Sequence, residues 1–415
     1  MEIAVIVKLL IVIAALLALV FLKQKPEVAL AASSVLMILI YGKGLQGFAD
    51  AFRIFFRDQS TVTLPITIIL IGILSGVMGK TGMLQKMIDH MKPMVRSTKL
   101  TIILTPLLIG LLAVTGGAYV SCPLVDQLGD TLGISPERKA AINLVYRHSV
   151  HYSYPLSGSL IVVANLSGLD VTRICLMLVP VVIWTFIIGH FTMMRDIKDV
   201  VMPKEDRASY LSHVKYFLLN FSPILVSLLL TVVLDLSMLI ALPVGIVLAV
   251  IVANAQEDTR PKEDLVSLLF KKVNYKMVLV IFAALFFKAC ISSISEIAEA
   301  MTSLARAGLP PELMIVIIAV LTSFPTASVQ TPAAIIIPIM AGFGASEMQM
   351  MLYTCLVVAT GTFGYYFSPV HMCQILTIEY FKTDLARLLK EYRYYLPALA
   401  VGIFVWYAAM KAILL

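Results

Sequence analysis

The chain has 415 residues, of which 60% are hydrophobic and only 14% are charged, and its formal net charge is +7. Soluble domains are about half apolar and a quarter charged, so this composition excludes a water-soluble globular protein and indicates one whose solvent is largely lipid. The basic residues lie in short loops between apolar runs rather than in one soluble domain. Such charge is typical of membrane orientation, and no nucleic-acid partner is expected.

Ten apolar stretches are long enough to be predicted as membrane helices, which need about 17 to 25 residues. In chain order they are residues 2–22, 27–42, 61–79, 139–165, 172–193, 215–233, 236–254, 276–294, 347–373 and 394–414. The stretches 43–58, 81–97 and 375–392 are amphipathic and are predicted to lie along the membrane interface. Residues 194–214 and 255–264 are predicted to be soluble loops.

Two further apolar segments are interrupted by small and hydroxyl-bearing residues. Residues 100–114 run into Thr115-Gly116-Gly117, and residues 313–322 run into Ser323-Phe324-Pro325-Thr326. Each arm holds about 10 to 15 residues, too few for a helix to cross a hydrocarbon core of about 30 Å. We therefore predict two re-entrant hairpins, at about 100–133 and 312–342.

The two hairpins also begin an internal repeat. The pattern Ala-x-Val-x-x-Pro occurs at Ala118 and again 209 residues later at Ala327. Further matches follow in order at slightly larger offsets: Gly133 with Gly344, Ser135 with Ser346, Pro155 with Pro369, Asp170 with Asp384 and Arg173 with Arg387. The predicted fold is an all-α membrane protein of two inverted repeats, each with five transmembrane helices and one re-entrant hairpin. The repeats cover residues 1–193 and 211–415, and a cytoplasmic linker covers 194–210.

The charge distribution gives an orientation. With ten spans and two re-entrant hairpins, most of the 32 Lys and Arg residues fall on one side of the membrane. The positive-inside rule makes that side cytoplasmic and predicts an inner-membrane protein with both termini outside the cytoplasm.

Broken helices expose unpaired backbone N–H and C=O groups, which hold anions and cations in many transporters. The hairpin tips are therefore candidate solute or ion sites, although their hydroxyls could instead bond to their own helix ends. The candidates are Thr115, Gly116, Gly117 and Ser121 in the first hairpin, and Ser323, Thr326, Ser328, Gln330 and Thr331 in the second.

A polar segment interrupts the span after each hairpin, and Pro155 and Pro369 are predicted to mark these helix breaks. Arg147 could clamp an anion with its planar guanidinium, or it could pair with Asp126 as a structural contact. An ordinary histidine titrates near neutral pH, so His148 or His151 could carry a proton, and Asp126 and His151 are candidates for coupling transport to an ion. The candidate residues of these segments are Arg147, His148, His151, Ser153 and Ser157, with Thr362 and Ser368 in the second half.

Enzyme motifs are absent from the sequence: there is no HExxH, GxSxG or Walker A pattern. We expect no enzymatic activity, no cofactor and no metal beyond a transported Na⁺, with Na⁺ or H⁺ as the coupling ion.

With these hairpins, the sequence resembles the ion transporter superfamily, which includes divalent-anion/sodium symporters and arsenite, citrate, gluconate and sodium/proton carriers. It is most similar to the prokaryotic domain-of-unknown-function 401 family of ten-span membrane proteins, over essentially the whole chain. The segments that carry the resemblance are residues 115–123 and 323–332. It implies a scaffold and transport domain with elevator-like movement. The Ser-Asn-Thr tips of dicarboxylate carriers are missing here, so their sodium sites do not transfer.

The sequence therefore predicts an ion-coupled secondary transporter of a small anionic solute. A sodium/proton or other cation antiporter, a channel and an intramembrane enzyme are the alternatives. The expected partners are the small-molecule solute and the lipid bilayer, and a homodimer is open.

Overall fold

A computed structural model shows an all-helical chain over the residues it describes. These are residues 2–22, 24–111, 117–201, 203, 206–261, 264, 267, 269, 275–297, 299, 310–368 and 371–415. The first-half helices are α1 (Glu2–Phe21), α2 (Pro26–Ile40), α3 (Gly44–Arg57), α4 (Ser60–Lys80), α5 (Met83–Val95), α6 (Thr98–Gly110), α7 (Gly117–Thr131), α8 (Pro136–Ser149), α9 (Gly158–Ser167) and α10 (Val171–Gly189).

The second-half helices are α11 (Arg207–Val232), α12 (Met238–Ala255), α13 (Tyr275–Ser292), α14 (Pro311–Thr326), α15 (Gln330–Ala341), α16 (Glu347–Tyr366), α17 (Met372–Tyr380), α18 (Leu385–Glu391) and α19 (Tyr395–Leu414). Within the described residues, five helices are long and apolar enough to cross a membrane by length and composition. They are the helices over residues 61–80, 171–194, 207–232, 238–255 and 395–414. The chain is a multi-pass membrane protein.

The helices around both predicted hairpins end close to the predicted bounds. α6 and α7 contact each other, as do α14 and α15. The second pair is separated by a tight turn at Ala327, whose backbone is left-handed with φ 47°. The tip of the first pair, including the predicted site residues Thr115 and Gly116, lies outside the described residues.

Matching positions in the two halves have the same local structure. Gly133 and Gly344 both adopt positive φ, at 68° and 64°. The serine that follows each glycine by two residues caps a helix: Ser135 caps α8 and Ser346 caps α16. Asp170 and Asp384 each accept a hydrogen bond at 2.8 Å from the backbone N–H three residues later, a standard N-cap interaction.

Contacts between the halves are reciprocal. α2 of the first half packs on α13 of the second, and α12 of the second half packs on α4 of the first. In the same way, α9 packs on α15 and α17 packs on α7. Each half therefore completes the packing of the other.

One predicted loop is partly helical. α11 begins at Arg207, inside the segment 194–214 that we predicted to be a soluble loop and inside the linker 194–210. The carboxylate of Asp206 accepts from the N–H of Ser209 at 3.3 Å and caps the helix. The polar first turns of α11 concealed this start, because they lack the apolar run that defines a span.

Candidate functional site

The two interrupted spans break where the sequence predicts. α8 ends at Ser149, continues as one 3-10 turn over Val150–Tyr152, and is followed by irregular chain until α9 begins at Gly158. α16 ends at Tyr366, and α17 begins at Met372. Pro155 lies in the first break, whereas Pro369 lies outside the described residues. The 3-10 turn contacts α16, and α17 contacts α8, so the breaks of the two halves lie against each other.

Histidines from both halves meet at this point. The rings of His148 and His371 have centroids 4.8 Å apart, and the ring of His151 lies 5.0 Å from that of His148. The ring of Tyr365 lies 3.7 Å from that of His371, and its hydroxyl oxygen is 3.5 Å from Nε2 of His148. His148 and His371 are both buried.

Arg147 is buried beside this cluster, with only 3% of its surface exposed. Its Nε and Nη1 atoms have no hydrogen-bond partner among the described residues. Leaving a charged donor buried and unpaired is costly, so the site is suited to an anion that accepts from the guanidinium. The backbone also crowds here: a Cβ at Gly110 would lie 2.5 Å from the Arg147 carbonyl oxygen, so glycine lets α6 approach α8.

Asp126, which the sequence offered as a partner of Arg147, pairs with a different residue. Its carboxylate accepts from the Lys139 ammonium at 2.7 Å, and Asp130 accepts from the same ammonium. Lys139 is buried, and its aliphatic stem lies where a Cβ at Gly129 would be. Sequence reasoning did not single out Lys139, which is the first residue of the predicted span 139–165.

A small buried network joins three helices near the break. The Asn143 side-chain amide donates to Cys122 Sγ and to Thr377 Oγ1, each at 3.4 Å. These residues come from α8, α7 and α17 and are fully buried. Sequence reasoning missed all three, because single polar residues in apolar helices carry no motif. Tyr365, His371 and Cys373 were missed as well, although the polar and aromatic residues on both sides of Pro369 were a signal for them.

Most predicted hydroxyl ligands bond to nearby backbone or to each other. Thr326 donates to Thr322 O at 2.6 Å, Thr362 to Val358 O at 2.8 Å, and Ser153 to Cys175 O at 2.8 Å. Among the remaining predicted residues, Ser323 donates to Val320 O and Ser328 donates to Gln330. Thr331 has a buried hydroxyl with no partner in the part of the chain that the structure describes. Ser121, Ser157 and Ser368 are buried, and Gly117 begins α7.

Two cavities of about 550 Å³ lie elsewhere. One is lined by the start of α4, the end of α9 and the starts of α10 and α12, and the other by Arg138, Arg195, Arg393 and their neighbours. Neither cavity is lined by the residues of the two breaks. The buried cluster is therefore the candidate site because of its charged and titratable side chains, and not because it lines a large cavity.

The fold is similar to that of a solved transporter. The crystal structure of the Alcanivorax borkumensis YdaH transporter, described as having an unusual topology, superposes with a TM-score of 0.62 at 15% sequence identity. The match covers 89% of this chain and 88% of that one. No curated protein sequence matches the chain. Residues 3–411 match the family described as "Protein of unknown function (DUF401)", and the chain belongs to that family.

Proposed function

We propose that the protein is an ion-coupled secondary transporter of a small anionic solute, and that it works by elevator-like alternating access. The observation that carries the proposal is Arg147, a buried guanidinium with unpaired Nε and Nη1 at the meeting point of two broken helices. Secondary transporters bind solutes where interrupted helices of two repeats meet. The shared fold of the YdaH transporter supports the same class.

The reciprocal packing of the two halves supports the inverted repeat, and the excess of Lys and Arg on one side supports its membrane orientation. In this proposal the chain lies in the inner membrane with both termini outside the cytoplasm. Cysteine labelling of intact cells from outside should then modify substituted Gln46 and Leu169 and should leave substituted Met87 and Val201 unmodified. External labelling at Met87 would contradict the orientation.

The coupling ion in this proposal is H⁺ or Na⁺. His148 and His151 beside Arg147 favour H⁺, while the backbone carbonyls freed at the breaks favour Na⁺. Uphill uptake into vesicles should stop when both gradients are dissipated, and abolishing one gradient at a time identifies the ion. Uptake that persists without any gradient would exclude secondary transport. A cation antiporter is the alternative, and exchange of Na⁺ for H⁺ without an anion would select it.

The anion clamp is tested at Arg147. Arg147→Lys keeps the charge but loses the planar set of donors, so solute affinity should fall while the protein still folds. Arg147→Ala should lower it further, because a charge-assisted hydrogen bond contributes about 1.5–3 kcal/mol, or roughly tenfold or more in affinity. Binding is measured by thermal shift across organic acids and oxyanions, with exposed Arg173→Ala as the matched control. Normal affinity in a folded Arg147→Ala protein would refute the clamp.

A further inference from the structure

Three side chains with metal-binding atoms come together at the same breaks. His148 lies near the end of α8, His371 is the N-cap residue of α17, and Cys373 lies in the first turn of α17. One ligand atom from each of them lies within 4.8 Å of the other two. Both histidines are buried and the cysteine is half-buried. The two halves of the chain thus supply one group of nitrogen and sulfur donors.

The hydrogen bonding of His148 leaves one ring nitrogen with only a weak contact. Its Nδ1 lies 2.6 Å from the carbonyl oxygen of Leu144, and because a carbonyl can only accept, Nδ1 must carry the proton. Nε2 is then an acceptor, and the Tyr365 hydroxyl is 3.5 Å from it, at the limit of a hydrogen bond. Histidines that bind metals have this arrangement, in which a backbone carbonyl fixes the tautomer and the other nitrogen faces the ion.

His371 supplies the second, independent observation. Only 2% of its surface is exposed, and neither ring nitrogen makes a well-formed hydrogen bond with the described residues, the one polar contact being a loose one with the backbone of Tyr365. Buried polar atoms are nearly always paired, so an imidazole with at least one nitrogen unpaired indicates a ligand at this position. The His148 ring lies across from it at 4.8 Å between centroids.

We propose that His148, His371 and Cys373 form a binding site for a transition-metal ion of the class that prefers thiolate and imidazole, Zn²⁺ or Cu⁺. These ions take nitrogen and sulfur ligands, whereas Mg²⁺ and Ca²⁺ require oxygens that this group does not contain. Bond lengths of about 2.0–2.3 Å place ligands on one ion within roughly 4 Å of one another. The three side chains therefore need only a small adjustment to close on one ion.

Charge distinguishes the two ions. Arg147 adjoins His148 in the chain and carries a fixed positive charge in the buried cluster. Zn²⁺ with one thiolate keeps a net positive charge beside the guanidinium, whereas Cu⁺ with one thiolate is neutral. Repulsion between buried charges is strong where water is excluded, and it weakens the binding of Zn²⁺ beside Arg147 more than the binding of Cu⁺. Compared with an exposed site of the same donors, this buried site should therefore favour Cu⁺ over Zn²⁺. Metal binding at this site does not depend on transport, so its test can succeed or fail independently of the proposed function.

The first measurement uses the wild-type, full-length protein in lipid nanodiscs. Co²⁺, as a spectroscopic substitute for Zn²⁺, should produce a thiolate-to-metal charge-transfer band at one equivalent. Cu⁺ under anaerobic reducing conditions should do the same in the ultraviolet. Absence of both bands in the wild type would overturn the proposal, whatever any variant does. Displacement of Co²⁺ by Zn²⁺ or by Cu⁺, each competed against a chromophoric chelator, shows which ion the site prefers.

The second measurement assigns the ligands. Cys373→Ser should abolish the charge-transfer band, and His371→Asn should weaken metal binding at least about tenfold, since loss of even an outer-shell partner costs 10–100-fold. Two variants are the matched controls. Cys290→Ser removes a buried thiol on α13. His90→Asn disrupts another pair of facing imidazoles, in which the Nδ1 atoms of His90 and His213 are 2.9 Å apart. Both controls should bind metal like the wild type. Unchanged binding in Cys373→Ser and His371→Asn, or its loss in His90→Asn alone, would refute the site.

Discussion

Each half of the chain packs the first helix of its hairpin against the helix that follows the hairpin, and a glycine lies at each contact. In the first half the glycine is Gly110 on the hairpin helix α6, and it faces the backbone of Arg147 on α8. In the second half it is Gly364 on the following helix α16, and it faces Ser323 and Val320 on α14. The two helices therefore approach closely in both halves, but the glycine that allows this is on the hairpin helix in the first half and on the following helix in the second. The packing is repeated, whereas the position of the glycine is not.

The chemistry of the two halves differs more than their packing. The first half places Arg147 and His148 at its break, and it also holds an ion pair between Lys139, near the start of α8, and Asp126 of α7. At the offset of 211 that matches Ser135 with Ser346, Lys139 corresponds to Met350. The second half contributes the aromatic ring of Tyr365 with His371 and Cys373. Similar packing in the two halves thus surrounds a buried cluster in which the fixed charge comes from the first half.

The largest expected effect is at the glycine contacts. In Gly110→Ala the new Cβ would lie 2.5 Å from a backbone oxygen, which cannot move without shifting α8. In Gly364→Ala it would lie 2.1 Å from the Ser323 hydroxyl, a side-chain atom that Ser323→Ala removes. We expect Gly110→Ala to cost about 1–3 kcal/mol of stability, and Gly364→Ala to be largely rescued by Ser323→Ala.

Denaturation midpoints in detergent measure both variants, with Gly79→Ala as the control because a Cβ there meets nothing within 4 Å. Equal costs for Gly110→Ala and the rescued Gly364→Ala would show that the two contacts are equivalent.

The charged pair of the first half gives the next effect. Lys139→Met introduces the residue type found at the matching position of the second half, Met350, and removes the ammonium that Asp126 and Asp130 share. Both carboxylates keep access to water, with 37% and 74% of their side chains exposed, so the loss should be near the lower end of about 1.5–3 kcal/mol. Arg173→Met, which breaks the exposed pair with Glu347, should cost less than about 1 kcal/mol. A Lys139→Met protein as stable as the wild type would mean that burial of the lysine cancels its pairing.

Two buried tyrosines, one with a hydrogen-bonded hydroxyl and one without, should show a smaller difference in stability when each is replaced by phenylalanine. The Tyr366 hydroxyl donates to Val145 O at 3.4 Å and links the end of α16 to α8, while the Tyr392 hydroxyl has no partner among the described residues. Tyr366→Phe should cost about 0.5–1.5 kcal/mol, whereas Tyr392→Phe should be neutral or stabilising, because it removes an unsatisfied buried group. Thermal unfolding of the two variants side by side tests the link, and the reverse order would contradict it.

The smallest effect concerns pH at the interface between α5 and α11. Burial, together with electrostatic repulsion from His213 and Lys86, lowers the pKa of His90, against the opposing effect of Asp89. Tyr216 of α11 stacks on the same ring. Because the folded protein binds fewer protons here than the unfolded chain, stability should be full above the ordinary histidine pKa of about 6.5 and should fall as the pH drops below it. Melting temperatures from pH 8 to 5 should fall less steeply in His90→Asn than in the wild type.

The sequence alone determined the helical class, the helix pairs at both predicted hairpins and both helix breaks. These features follow from local properties: apolar runs of a given length, Gly, Pro and hydroxyl residues that interrupt them, and Ser or Asp at N-caps. Local patterns also put Arg147, His148 and His151 in one polar segment. The start of α11 was missed for the same reason, because its first turns are polar and its cap, Asp206, does not stand next to an apolar run.

Only the tertiary structure decided which residues face one another. It placed His371 and Cys373 beside His148, although more than 200 residues separate them in the chain, and it paired Asp126 with Lys139 rather than with Arg147. It also showed that most of the hydroxyls in the described part of the second hairpin bond to nearby backbone or to a neighbouring side chain. A partner is selected by the distance and direction of side chains from different helices, and periodicity within one helix contains no information about either.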